Sequence, residues 1–243
     1  MNILAIGNSF SEDANRYFHG VAKAAGVNVQ NYSLMIGGCP LDRHFRNMML
    51  DARDYGLQFV GMSTGFKTSL KEALLSCEWD VVTLQQASHY SAFYDRYTPY
   101  IEELAKYIRT LCPKAKIYIH QTWAYEDNSA RLSSMHFETR KDMFREVKAS
   151  YEKAYAAISA DGIIPSGEVM ERLTELGIEQ VHRDTFHAGK GVARYALALT
   201  WLEALTGASA EGNSFREFDV PVTEEEVAIA IQAAHEVCER YRK

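Results

Sequence analysis

Short runs of apolar residues alternate along this chain with longer stretches in which apolar positions return every three or four residues. The runs lie at 2–6, 27–34, 79–85, 116–122 and 162–165, and several lack the polar alternation of a half-exposed strand. They predict strands buried on both faces. The longer spacing falls at about 13–25, 67–76, 98–110 and 141–159 and predicts amphipathic helices between those strands. Strand and helix alternate, so the sheet is expected to be parallel. Two further helices, 188–206 and 223–242, follow the last strand, with a loop rich in Gly, Ser and Asn between them. Residues 39–66 are less regular. They suggest a helix near 42–51 and a hairpin near 55–65, an irregular insertion within a single domain spanning 1–243, of which 207–243 form a loop and C-terminal helix.

Composition narrows the class. With 243 residues, 47% hydrophobic and 24% charged, the chain has the make-up of a globular α/β protein rather than a disordered one. A net charge of −6 argues against a surface built to displace counterions from nucleic acid, so no nucleic-acid partner is expected. No apolar run reaches the roughly 18 residues that span a bilayer, and Met1 leads straight into a strand without a basic leader. A cytoplasmic location with no membrane partner is the resulting expectation. Cys39, Cys77, Cys112 and Cys238 are scattered without a CxxC pair, which suggests neither a zinc knuckle nor a disulfide framework.

In an open parallel sheet, ligands gather outside the carboxyl ends of the strands, where loops and helix N-termini converge. Gly7-Asn8-Ser9-Phe10-Ser11 follows the first predicted strand, and Ile36-Gly37-Gly38-Cys39-Pro40 follows the second. Gln85-Gln86-Ala87-Ser88-His89 closes the third, and Gln121-Thr122-Trp123 the fourth. Farther downstream comes His182-Arg183-Asp184-Thr185-Phe186-His187. Asp184 and His187 can emerge from one tight turn, the carboxylate fixing the imidazole tautomer while the second ring nitrogen faces a hydroxyl. Ser9, at a strand-to-helix turn, is the candidate hydroxyl. Ser9 and Glu12 also spell S-x-x-E, a capping box, and that structural role competes for the same side chain.

The four blocks GNSFS, IGG, LQQAS and DTFH resemble the motif blocks of the SGNH (GDSL-like) hydrolases over residues 1 to about 207, and most closely a poorly characterised bacterial branch similar to carbohydrate acetylesterases. The resemblance implies a Ser9, Asp184, His187 triad and an oxyanion hole formed by the N–H groups of Ser9 and Gly38 with the Gln85 side-chain amide. Asn8 stands where the family usually has Asp, and the GxND block is absent. LQQAS is nearer the QGES variant, in which Gln86 or His89 is an alternative to Gln85. Asn8, Gln86, His89 and Trp123 are the candidate pocket residues. The implied architecture is a three-layer α/β/α sandwich on a flavodoxin-like five-stranded parallel sheet of order 2-1-3-4-5. The implied activity is hydrolysis of small acyl esters, acetate on a carbohydrate foremost, through an acyl-enzyme and with neither metal nor organic cofactor.

Three rival readings arise from the same residues. His182, Asp184 and His187, joined by His120 or His89, could hold a metal for hydrolysis, although no i,i+4 histidine pair is present. The crevice could belong to a non-catalytic small-ligand-binding domain, but neither GxGxxG nor a Walker lysine follows the first strand. Gly61-Met62-Ser63-Thr64-Gly65 matches the GxSxG nucleophile elbow, which requires a central strand before it and a helix straight after. Its flanks predict a hairpin instead.

Overall fold

The structure, a computed structural model, describes residues 1–242. In chain order its elements are β1 Asn2–Gly7, α1 Ser9–Asn15, α2 Phe18–Ala24, β2 Gln30–Met35, α3 Leu41–Leu50, β3 Tyr55–Phe59, β4 Met62–Thr68, α4 Leu70–Leu75, β5 Val81–Leu84, α5 Tyr100–Leu111, β6 Lys116–His120, α6 Ala130–Ser134, α7 Arg140–Ala157, β7 Gly162–Ile164, α8 Ser166–Glu175, α9 Val192–Thr206 and α10 Glu224–Glu239. The sheet runs β4-β3-β2-β1-β5-β6-β7. Its strands from β2 to β7 pair in parallel, in the order expected of the five predicted strands. The five-strand expectation is short by two. The expected helix and hairpin are both present within residues 39–66, and the difference is that the β3–β4 hairpin pairs antiparallel with β2 and extends that edge to a sheet of seven.

Residues Ile3 to Ile6 of β1 are fully buried, as are Val82 and Leu84 of β5 and Ile117 and Ile119 of β6, which accounts for their unbroken apolar character. On one side α9 packs against α1, α2, α8 and α10; on the other α3, α4 and α5 pack together. Helix α9 is apolar on most of its circumference, Arg194 and Glu203 being its charged residues, and nearly all of it is buried, as its place under four other helices requires.

The single helix predicted for 13–25 is two helices. It begins early because the Asn8 side chain accepts from the Phe10 N–H and caps α1, and it breaks at Arg16–Tyr17 before α2. Helix α8 was not expected. Its Val169, Met170 and Leu173 carry the helical spacing, but the segment is short and directly follows the fifth strand. Among the described residues no helix is long and apolar enough to cross a membrane.

Candidate active site

At the carboxyl end of β1 the chain must turn at once into a helix. Gly7 is the one residue that fits there, since a Cβ would come within 2.2 Å of Ser11 Oγ and 2.8 Å of Gln85 Oε1. Because Asn8 rather than Ser9 is the N-cap, the Ser9 hydroxyl is not drawn into capping. Ser9 Oγ lies 2.8 Å from His187 Nε2. His187 Nδ1 lies 2.7 Å from Asp184 Oδ2, and the backbone N–H of His187 donates to Asp184 Oδ1 at 2.8 Å. One carboxylate therefore grips both the ring and the main chain of the histidine. With Nδ1–H donating to Asp184, Nε2 is left to accept the Ser9 proton. Partial burial works to raise the Asp184 carboxyl, but the two His187 N–H groups outweigh it and hold it below the ordinary carboxylate range. It stays ionised under the imidazole.

The turn bearing His187 is under strain. Thr185, a β-branched residue, sits at φ 71°, in the left-handed region. Neighbours pin it. Glu126 N–H donates to the Thr185 carbonyl at 2.8 Å, Trp123 Nε1 to the Phe186 carbonyl at 2.8 Å, and Arg183 N–H to the His187 carbonyl at 3.0 Å. A strained turn held from several directions is typical of a site that needs one geometry.

Beneath it lies an ionic cluster that the sequence pattern did not reveal as functional. Asp13 on α1 is fully buried and accepts from Arg183 Nη1 at 2.8 and 2.9 Å, from Arg194 Nε at 2.9 Å and Nη2 at 2.7 Å, and from the Ala188 N–H at 3.1 Å. Arg194 also reaches Asp219 at 2.9 Å, and Asp219 pairs with Arg16. The helix that begins with Ser9 is thereby tied to the loop that carries His187. The signal was present: with Phe10, Ala14 and Tyr17, Asp13 occupies the apolar stripe of the helix, where a lone carboxylate demands a partner.

Gly38 turns at φ 60°, with open space where a Cβ would be, and its N–H has no acceptor among the described residues. The Ser9 N–H opens α1 and has no intrahelical acceptor. Gln85 is arranged differently from the implied donor. It is buried, its Nε2 donates to Asn8 Oδ1 at 2.7 Å, and its Oε1 accepts from Ser11 Oγ. Asn8 Nδ2 in turn donates to the Cys39 carbonyl at 3.3 Å. Gln85 and Asn8 thus brace the turn that carries Ser9 against the Gly38 loop from behind. His120 continues this buried row, Nδ1 3.2 Å from Gln85 Oε1 and Nε2 3.1 Å from Ser166 Oγ, and burial pushes its imidazole down to about 3, so it is neutral.

The remaining candidates divide. Gln86 is buried and holds Leu41 N–H at 3.0 Å and the Arg96 carbonyl at 2.8 Å. Trp123 is also buried, stacked on Phe10 at 4.3 Å, so it fills the interior instead of walling a pocket. His89 is half-buried against Tyr90, with its imidazole lowered by burial and by Arg131. Phe186 is the aromatic group against the histidine, 4.0 Å between ring centres. His182 is turned away, its Nε2 3.0 Å from the Ala124 carbonyl. Among the described residues, the group of potential metal ligands with atoms in mutual reach is Glu203, His235 and Glu239, and Arg242 pairs with both of those carboxylates; His182, Asp184 and His187 form no such group. Ser63 lies in edge strand β4, where its Oγ accepts from the Gly65 N–H, and not at a strand-to-helix turn.

Residues 2–237 match a family model described as a domain of unknown function, DUF4886. A DUF4886 family protein from Bacteroides uniformis ATCC 8492 is 31% identical, with a TM-score of 0.89 over 98% of this chain and 94% of that one. A candidate SGNH hydrolase from Slackia heliotrinireducens is 21% identical, with a TM-score of 0.60 over 84% of this chain and 98% of that one. A candidate GDSL-like lipase from Parabacteroides merdae ATCC 43184 is 15% identical, with a TM-score of 0.59 over 86% and 96%. The fold is that of the SGNH hydrolases. No curated protein matches the chain.

Proposed function

Because the chain belongs to the DUF4886 family, whose description assigns no function, we propose its activity from the geometry of the site: a serine esterase that removes small acyl groups. The observation that carries this reading is the hydrogen-bonded row Ser9–His187–Asp184, at 2.8 and 2.7 Å, made from segments 178 residues apart in sequence. Ser9 Oγ attacks the ester carbonyl while His187 Nε2 takes its proton, and Asp184 steadies the imidazolium. The N–H groups of Ser9 and Gly38 receive the developing oxyanion. As the tetrahedral intermediate collapses, His187 returns the proton to the leaving alcohol. Water then repeats the sequence on the acyl-enzyme and frees Ser9.

A small acyl group is favoured because the space below the histidine is already filled by the Phe10–Trp123 stack. Acetate on a carbohydrate, the class implied by the sequence resemblance, fits this reading. A series of p-nitrophenyl esters tests it. We expect kcat/KM to be highest for acetate and to fall by about tenfold or more by octanoate, each misplaced methylene costing a sizeable factor where no pocket receives it. A rate that rises with chain length would contradict the small-acyl assignment.

A further inference from the structure

We propose that His120, which lies outside the Ser9–His187–Asp184 row, is a positioning residue for the oxyanion hole: through Gln85 and Asn8 it fixes the spacing between the Ser9 and Gly38 N–H groups. The inference rests on the serine esterase reading above. One backbone group sets the polarity of the whole buried row. The Phe10 N–H can only donate, and its acceptor is Asn8 Oδ1 at 3.0 Å. That same oxygen faces Gln85, so Gln85 must present its Nε2, 2.7 Å away. Gln85 Oε1 is thereby turned to the other side, where it meets Ser11 Oγ and, at 3.2 Å, His120 Nδ1. A carbonyl oxygen only accepts, so His120 carries its proton on Nδ1. Burial keeps the ring neutral with that single proton, and Nε2 is left to accept from Ser166 Oγ at 3.1 Å.

Asn8 joins the two halves of the hole. Its backbone leads into Ser9, whose N–H opens α1, while its Nδ2 holds the carbonyl of Cys39, the residue after Gly38, at 3.3 Å. Gly38 has nothing within 4 Å of where a Cβ would stand, so side-chain packing does not hold that turn. The Cys39 N–H closes the turn on the Ile36 carbonyl at 3.1 Å, and Asn8 ties it to α1. His120 is the fixed end of this tie. It sits at the end of β6, fully buried, with its ring 5.0 Å from that of Trp201 and 6.5 Å from that of Trp123. Such surroundings would suit an aliphatic side chain by packing alone; the imidazole adds the donor that holds Gln85 Oε1. Asn8, Ser11, Gln85, His120 and Ser166 are all buried, so solvent does not replace a donor removed from the row. With the donor gone, the Gln85 amide and the Asn8 tie loosen together. A displacement of about 1 Å at an oxyanion N–H is enough to cost on the order of 10²-fold in rate.

Long-range proton–nitrogen NMR on the full-length protein at neutral pH reads the tautomer. We expect a neutral His120 with its proton on Nδ1; a proton on Nε2 overturns the proposal. The functional arm uses His120→Leu and His120→Asn, each checked for folding by thermal melting. Turnover of p-nitrophenyl acetate is compared with affinity for phenylboronic acid, a tetrahedral probe that adds to Ser9 Oγ and places an oxygen in the hole. In His120→Leu, kcat is expected to fall by roughly 10²-fold with KM changed by less than about twofold, and boronate affinity to weaken in step. In His120→Asn, whose amide N–H takes the place of Nδ1–H, about tenfold or more of that loss should return. A folded His120→Leu with kcat and boronate affinity within about twofold of wild type makes the histidine a filler of space and overturns the proposal. Asn8→Ser cuts the row at its other end while preserving a helix cap, and so decides the matter if His120→Leu does not fold. The same split between kcat and KM is expected there, and a kcat within about twofold of wild type contradicts the proposal. A wild type that neither hydrolyses the ester nor is labelled at Ser9 by a fluorophosphonate overturns the esterase reading, and the role of His120 with it.

Discussion

Replacing Ser9 or His187 with alanine is expected to lower ester turnover by roughly 10⁴–10⁶-fold while leaving the protein folded. Both side chains are partly exposed at the edge of the sheet, and neither contributes to the buried clusters around the sheet. The double variant should be no slower than either single one, because the two groups act as a unit: a serine without its base, or a base without its nucleophile, has nothing left to lose. Asp184→Asn should cost about 10³–10⁴, through loss of the tautomer that points Nε2 at the hydroxyl. Steady-state assays on p-nitrophenyl acetate measure all four. Multiplicative losses in the double variant would mean that the residues act independently, contrary to the hydrogen-bonded row.

Asp13→Ala carries the largest expected loss of stability. Truncation leaves Arg183 without a carboxylate, leaves Arg194 with Asp219 alone, and removes the acceptor of the Ala188 N–H. Breaking a buried, multiply hydrogen-bonded ion cluster from one side costs about 3–5 kcal/mol. For a chain of this length that corresponds to a fall in Tm on the order of 10 °C. The residual folded protein should also turn over slowly, since the α1 end of the tie between Ser9 and the His187 loop is gone. Asp13→Asn, which keeps an acceptor oxygen, should be milder on both counts. Thermal unfolding followed by circular dichroism gives the first quantity, and a Tm within about 2 °C of wild type would show that the cluster does not hold the loop.

The parallel sheet was readable because buried strands leave short unbroken apolar runs while amphipathic helices leave a repeat of three to four residues, and the two alternate along the chain. The hairpin β3–β4 was harder to read as part of the sheet. Most of β4 is exposed and its sequence carries little apolar signal. Helix α1 started earlier than its apolar repeat suggested because a side chain one residue upstream, Asn8, performs the capping.

At the site, the residues of the Ser9–His187–Asp184 row were legible from residue type and position at strand ends. The orientation of the neighbouring amides was not. Gln85 and Asn8 have the composition of oxyanion donors, yet their amides face each other and the Cys39 carbonyl, a choice made by packing against Ser11 from α1 and His120 from β6. Trp123 illustrates the same limit. Its strand-end position is shared by pocket walls and core fillers, and only its stacking on Phe10 and its bond to the Phe186 carbonyl distinguish the two. Asp13 depends on two arginines 170 and 181 residues away, a distance over which sequence spacing conveys nothing.

Reaction of the folded protein with a fluorophosphonate, followed by peptide mass spectrometry, tests the central claim most directly. The account predicts one phosphonylated residue, Ser9, and loss of the adduct when His187 is replaced by alanine. Modification of Ser63 in its place, or full esterase activity with Ser9 unmodified, would contradict it.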